Sequence, residues 1–275
     1  MEPYWELIRR IIIESDLVLE ILDARLVELS RNEEVEELIK EIGKPVIFVV
    51  NKSDLVSRES LKEQVKKLRR DGEVVFVSAK RPRDVKVLLY AIKKVFRKFG
   101  KREMVVREVG DPKIKTREAK ADIVVGVLGY PNVGKSSVIN ALAHKRKVKV
   151  SKKAGTTHGI HWVKATNEIK LIDSPGVIPL KKEDEIRYGL IGARDTESLK
   201  NPEIVVHALI KLFLKVNKKE FEKFYGINIK KEDNVDEVVE RIGSKKRYLI
   251  KGGKVDEHRT CSMIIRDWQQ GRLRL

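Results

Sequence analysis

Apolar positions recur at helical spacing over residues 3–14. A continuous apolar run, Leu17–Leu22, follows and ends at Asp23-Ala24-Arg25. The first pattern predicts an amphipathic helix, and the second a strand buried on both faces. The same alternation continues along the chain. A polar helix is expected over about 31–41, an apolar strand over Pro45–Val50 running into Asn51, and a helix over about 58–70. Then come a strand over Val74–Val77 and a helix over Asp84–Phe99, where Val85, Leu88, Leu89, Ile92, Val95 and Phe96 share one face. Residues 100–120, dense in Lys, Arg, Glu and an Asp-Pro step, break the pattern and read as a linker. Beyond it lie a strand over Ile123–Leu128, a glycine-bearing loop and a helix from about Lys135 to Ala143. A hairpin is expected from Trp162–Ala165 and Ile169–Ile172 around Thr166-Asn167. Unbroken apolar strands alternating with helices imply an α/β fold with a mostly parallel sheet.

From about residue 183 the pattern is helical only. Asn201-Pro202-Glu203 is a helix start with a capping side chain, and Asn234 with Glu237 resembles a capping box. Gly243 reads as a helix stop, and a last helix runs from about Asp256 to Gln269. The expected organisation is one α/β domain over 1–182 and an all-α domain over 183–275.

Composition narrows the partners. The 275 residues carry 59 basic against 41 acidic groups, a net charge of +18. A mixed Lys and Glu surface explains the charge density but not the imbalance, which favours a polyanion, RNA above all. Three basic runs stand out: His144–Lys153, Lys218-Lys219, and Lys245-Lys246-Arg247 beside Tyr248, a candidate stacking ring. No apolar run approaches the roughly 18 residues of a membrane span. The start lacks a secretory pattern, and the lone Cys261 excludes an intrachain disulfide. Together these favour a cytoplasmic protein. Trp5, Trp162 and Trp268 are assigned to cores or domain contacts.

The chemistry lies at the strand ends. Gly129-Tyr-Pro-Asn-Val-Gly134-Lys135-Ser136 stands between a strand and a helix, the context a phosphate-binding loop requires. Its amides and the helix start would cradle phosphates, with Asn132, Val133, Gly134 and Ser137 lining the loop. Lys135 would bridge the β- and γ-phosphates, and Ser136 would offer a hydroxyl to Mg²⁺. Asn51-Lys52-Ser53-Asp54 selects guanine, because the Asp54 carboxylate can accept both N1–H and N2–H where adenine offers no donor. Asn51 would hold N7 and tie the loop, while Lys52 lies across the ring. Ser78-Ala79-Lys80 would supply a backbone N–H to O6, with Lys80 over the base edge. Asp173-Ser-Pro-Gly176 would place a carboxylate at Mg²⁺ through water and the Gly176 amide at the γ-phosphate. Ala154-Gly155-Thr156-Thr157 is the candidate first switch, with Thr157 the Mg²⁺ ligand of the triphosphate state.

These motifs stand in rotated order, base-reading pair first and phosphate loop after. With that order, the Asp23-Ala24-Arg25 element and the Gly-Tyr-Pro-Asn-Val-Gly-Lys-Ser-Ser loop, the chain resembles the circularly permuted GTPases, and within them the YlqF/RbgA-like ribosome-assembly group. The tail from Gly252-Gly253-Lys254-Val255-Asp256 through Asp267 and Gly271 is similar too. The resemblance implies a permuted Ras-like domain bound to GTP or GDP and Mg²⁺. It also implies GTP hydrolysis tied to maturation of the large ribosomal subunit, and a helical domain contacting rRNA. Lys135, Thr157 and Gly176 would carry the catalytic roles. Val177 stands where Ras-like proteins carry the Gln that orients water, so intrinsic hydrolysis is expected to be slow. Asn132 occupies the position that coordinates K⁺ in related potassium-dependent GTPases, or else it only shapes the turn. Ala154 departs from the Pro-Gly common at that switch. A monomer free of the ribosome is expected. The alternatives are a non-catalytic GTP sensor that binds RNA, or a GTPase of another RNA process such as tRNA modification.

Overall fold

The computed structural model describes residues 4–99, 123–143, 161–174, 176 and 184–275. The first half alternates as the pattern requires: α1 (Tyr4–Glu14), β1 (Leu17–Asp23), α2 (Val27–Ser30), α3 (Glu33–Ile42), β2 (Val46–Asn51), α4 (Arg58–Gln64), α5 (Leu68–Asp71), β3 (Glu73–Phe76) and α6 (Pro82–Phe99). Next come β4 (Ile123–Leu128), α7 (Lys135–Leu142) and the hairpin β5 (His161–Lys164) and β6 (Ile169–Asp173). The expected linker over 100–120 lies outside the described residues.

The sheet order is β3-β2-β1-β4-β6-β5, parallel except for the edge strand β5, which runs antiparallel to β6. Parallel pairing aligns the C-terminal strand ends, the side where open α/β sheets hold ligands. Asp23 stands opposite Asn51, and Val127 opposite Asp173. On one face Leu17, Leu19, Ile21, Val125 and Val127 pack against the apolar sides of α6 and α7. The other face carries two clusters, one with Ile8, Ile11, Val35 and Ile39 of α1 and α3, the other with Leu61, Val65 and Leu68.

Three local features depart from expectation. The helix over 58–70 is broken in two at Val65. Val65 is fully buried and packs with Leu61 and Leu68 against Phe48 and Val50, so the apolar face keeps helical spacing across the break. The β1 run hides a charge: Glu20 is fully buried, one carboxylate oxygen accepts the Asn32 amide at 2.9 Å, and burial, seconded by Glu36, raises its pKa well above the ordinary value. The short α2 had no signal of its own. Ser30 secures it, accepting from the Asp23 amide and donating to the Val27 carbonyl.

The rest is helical: α8 (Glu185–Ile191), α9 (Pro202–Val216), α10 (Lys218–Tyr225), α11 (Val235–Lys245) and α12 (Glu257–Gln269). Their buried residues form a separate cluster around Phe213, Phe221 and Trp268, with the Trp268 ring edge-on to Phe213 at 5.8 Å. Cys261 is buried in it, and burial raises its thiol pKa to about 12. The capping box at Asn234 and Glu237 is formed in both directions. Gly243 is not a stop, because α11 continues through it to Lys245. A side chain there would strike Val255 and come within 2.7 Å of the Thr260 hydroxyl, so close packing rather than termination requires glycine. Nor does Asn201 cap α9; its side chain donates to Glu185 instead. Trp162 is no core residue either, being 53% exposed on β5. Among the described residues no helix is long and apolar enough to cross a membrane.

Candidate nucleotide site

The phosphate loop leaves β4 through Gly129, whose φ of 139° and approach to the Ile21 carbonyl (2.6 Å for an added Cβ) exclude a side chain. Asn132 also has positive φ, at 60°. Lys135 opens α7 and folds back, donating to the Gly129 and Tyr130 carbonyls at 3.0 and 2.9 Å. Burial lowers its pKa to about 8, against the pull of Asp173. Ser136 and Ser137 follow in the first turn of α7.

Asp173, at the end of β6, is fully buried, and neither carboxylate oxygen has a hydrogen-bond partner among the described residues. Burial raises its pKa to about 6, with Lys135 and His161 acting the other way. An orphaned buried carboxylate beside a phosphate loop fits a site for a hydrated divalent cation. Gly176 lies against the loop; an added Cβ would sit 2.6 Å from the Pro131 ring.

The motifs expected to read the base reach this loop. Asn51 donates its side-chain amide to the Val133 carbonyl at 2.9 Å, the loop tie expected of it. Lys52 donates to the Asn132 carbonyl at 2.8 Å and to Asp23 at 2.7 Å. Asp54 is one-fifth exposed, 3.6 Å from Lys80. Burial works against its carboxylate, but the Ser78 hydrogen bond, a loop amide and the Lys80 and Arg81 charges outweigh it, holding the pKa below the ordinary value. The Ser78 amide is anchored by Asp84 at 2.9 Å, which steadies the turn carrying Ala79 and Lys80. Chain segments some 80 residues apart thus close on one cleft. Thr156, Thr157 and Val177 lie outside the described residues, as does the basic run 144–153.

Asp23 and Arg25 have a role that spacing alone did not disclose. The Asp23 carboxylate accepts from the Arg25 amide and guanidinium and from Lys52, at 2.7–3.0 Å. Burial opposes ionisation, but the Arg25 and Lys52 charges prevail and depress its pKa far below the carboxylate range. Arg25 also donates to the Trp268 carbonyl and stacks over its ring at 3.9 Å. The lysine expected on the base is therefore held by a carboxylate whose other partner grips the last helix. Further contacts join the two parts. Asn132 donates its side-chain amide to the Gly192 carbonyl at 2.8 Å, and Arg187 donates to the Leu29 and Arg31 carbonyls. The Leu275 amide donates to the Leu55 carbonyl just past Asp54, while within the helical part Trp268 Nε1 donates to Leu190. Only the Asp-x-Arg spelling at an apolar strand end could have hinted at this seam; nothing local marks Arg187 or Trp268. Tyr248 is not an open stacking ring, since Arg259 covers it at 4.3 Å.

Comparison with known proteins agrees with this geometry. A family model described as 50S ribosome-binding GTPase matches residues 124–250. Ribosome biogenesis GTPase A of Bacillus cereus is 32% identical over 263 residues, covering 94% of this chain and 84% of that protein. An uncharacterized GTP-binding protein of Methanocaldococcus jannaschii is 38% identical over 98% of the chain, and nucleolar GTP-binding protein 2 of Pneumocystis carinii 30% over the same share. The chain spans 66% of the first of these and 52% of the second. GNP-bound YlqF from T. maritima shares the fold, with a TM-score of 0.58 at 23% identity over 94% of this chain and 89% of that one. With its motif order and its near full-length similarity to a ribosome biogenesis GTPase A, the chain belongs to the YlqF/RbgA-like family of circularly permuted GTPases.

Proposed function

We infer that this chain binds GTP and GDP in the described cleft and hydrolyses GTP to GDP and phosphate. It acts as a nucleotide-dependent switch in large ribosomal subunit assembly through contact with rRNA. One observation carries the reading: Asn51 and Lys52 hydrogen-bond to the phosphate loop at Val133 and Asn132, joining a guanine reader to a phosphate cradle. Asp54 accepts the two guanine donors, the Ser78-Ala79-Lys80 turn meets O6, and Lys52 covers the ring. Lys135 leaves its carbonyl partners for the phosphates, which restore its full charge. Ser136, Thr157 and Asp173 would hold Mg²⁺, which would neutralise phosphate charge when bound. Thr156 and the Gly176 amide face the γ-phosphate, and with Val177 in place of a glutamine the intrinsic rate is slow. The ribosomal particle raises it, as K⁺ near Asn132 would.

Residues 183–275 form the rRNA-binding domain and 1–182 the GTPase domain of a cytoplasmic protein that is monomeric off the ribosome. The Asn132–Gly192 and Arg25–Trp268 contacts support passage of the nucleotide state to the helices. The test is co-sedimentation with large subunits and their precursors in GTP, GDP and ATP, with single-turnover hydrolysis in K⁺ and in Na⁺. Guanine-specific, state-dependent pelleting and particle-stimulated turnover are expected. Equal pelleting in all nucleotides refutes the switch, since a ligand without differential affinity shifts no equilibrium.

A further inference from the structure

Among the described residues β3 pairs only with β2 and so forms one border of the sheet. Val77, just beyond it, donates to the Val50 carbonyl at 2.9 Å and accepts from the Ser53 amide at 3.2 Å, so its backbone groups face inward. Backbone direction alternates along a strand in a parallel ladder. Glu73 and Val75 therefore face β2 as well, while Val74 and Phe76 turn both amide and carbonyl outward. Such a row of edge groups is a template for a further strand. An apolar groove runs beside it, walled by β3 and by the flank of α6 that carries Val87, Tyr90, Ala91 and Lys94. Val87 is 50% exposed and Tyr90 68%, whereas Val85, Leu88 and Ile92 of the same helix are buried. Past Tyr90 the surface becomes basic, with Lys93, Lys94, Arg97 and Lys98. Lys93 and Lys94 pair with Glu168 and Glu73 at 2.5 and 3.0 Å. Arg97 is exposed and pairs with no carboxylate among the described residues. In α6 as a whole six basic residues stand against the single acid Asp84, whose carboxylate is taken by the Ser78 amide.

We propose that this border docks an extended acidic segment of a partner protein, which joins the sheet as a strand beyond β3. The segment's backbone meets the outward groups of Val74 and Phe76, and its apolar part covers Val87 and Tyr90. Its carboxylates meet Arg97 and Lys98 and compete with Glu73 for Lys94, whose exposed pair is weak enough to exchange. Charge selects the occupant. A second copy of this border would bring its own basic helix and be repelled, and RNA offers no amide and carbonyl ladder to the outward groups. An acidic polypeptide supplies both the ladder and the opposite charge. The dock does not draw on the nucleotide cleft.

The test uses the full chain and two fluorescein-labelled octapeptides, one of alternating valine and threonine followed by four glutamates, the other its reverse. One of them should bind with a dissociation constant below about 1 mM, the range of a weak peptide contact. On binding, hydrogen exchange at the Val74 and Phe76 amides should slow, with Val75 unchanged. N-methylating the valine and threonine half of the peptide removes its donors and should weaken binding about tenfold or more. Tyr90→Glu should do the same, by setting a like charge in the groove. Arg97→Ala with Lys98→Ala should remove most of the loss of affinity seen between about 50 and 500 mM salt. An unchanged urea midpoint certifies the fold of each variant. Failure of both peptides to bind overturns the dock, and equal binding of the N-methylated peptide overturns strand addition. A 12-nucleotide oligoadenylate that binds here, is lost in Arg97→Ala with Lys98→Ala, and finds the peptides silent overturns the assignment in favour of RNA. A concentration-dependent dimer abolished by Tyr90→Glu overturns it in favour of a second copy.

Discussion

Replacing Asp23 with Asn tests the seam between base reader and helices. The carboxylate takes four hydrogen bonds, three from Arg25 and one from Lys52, and is 1% exposed. An amide of equal size keeps the volume but removes the counter-charge and points a donor at donors. Arg25 and Lys52 are then left as two like charges in a buried setting. Breaking a buried pair from one side costs about 3–5 kcal/mol. At roughly 2–4 °C per kcal/mol that is a fall of about 6–20 °C in Tm. Because the pair is buried, the loss should be nearly the same at low and high salt. Adding Arg25→Met should recover part of it, since the stranded guanidinium goes too. Lys52 also loses its anchor, so guanine nucleotide affinity should drop alongside stability. The depressed Asp23 pKa fixes the pH sign. Its contribution is complete above the ordinary carboxylate value near pH 4 and decays only as acid approaches the much lower folded value. Urea unfolding of wild type, single and double variants at two salt concentrations decides the matter. A loss below about 1 kcal/mol, in the range of surface ion pairs, refutes the argument.

Two further outcomes follow from the same structure. Asp173, raised to about 6, and Lys135, lowered to about 8, bracket neutral pH. Since the folded Asp173 binds a proton that the unfolded chain has released, its contribution to stability falls as pH rises from about 4 to 6. Calorimetry in buffers of differing ionisation enthalpy should show Mg²⁺–GDP binding releasing protons near pH 6 and taking them up near pH 8; no buffer dependence at either pH contradicts the assignment. Gly243→Ala should cost about 1–3 kcal/mol by overpacking against Val255 and Thr260; an unchanged urea midpoint would show that the contact yields freely.

Periodicity was enough for the sheet, because strands buried on both faces are written as runs of Val, Ile and Leu that no loop imitates. Motif chemistry picked out Asn51, Lys52 and Lys135 as residues that meet at one loop, since each stands where a strand ends and the chain must turn. What escaped depended on distant partners. Gly243 looked like a stop because local propensity favours that reading; the side chains of Val255 and Thr260, encoded farther on, decide otherwise. Asn201 has the spelling of a cap, but Glu185 claims its amide. Trp162 was misassigned on residue type alone, as an edge strand keeps no period that distinguishes an exposed indole from a covered one.

The amide of Leu275 bonded to the carbonyl of Leu55, with Leu273 and Leu275 sheltered from solvent, makes the tail a wedge against the turn that carries Asp54. Any force that lifts the tail has to distort that corner, and any guest that stiffens the corner has to clamp the tail. Thermodynamic reciprocity makes the two effects equal in free energy. The change in how firmly the tail is seated when a guest fills that corner therefore equals the change in the guest's hold when the tail is seated.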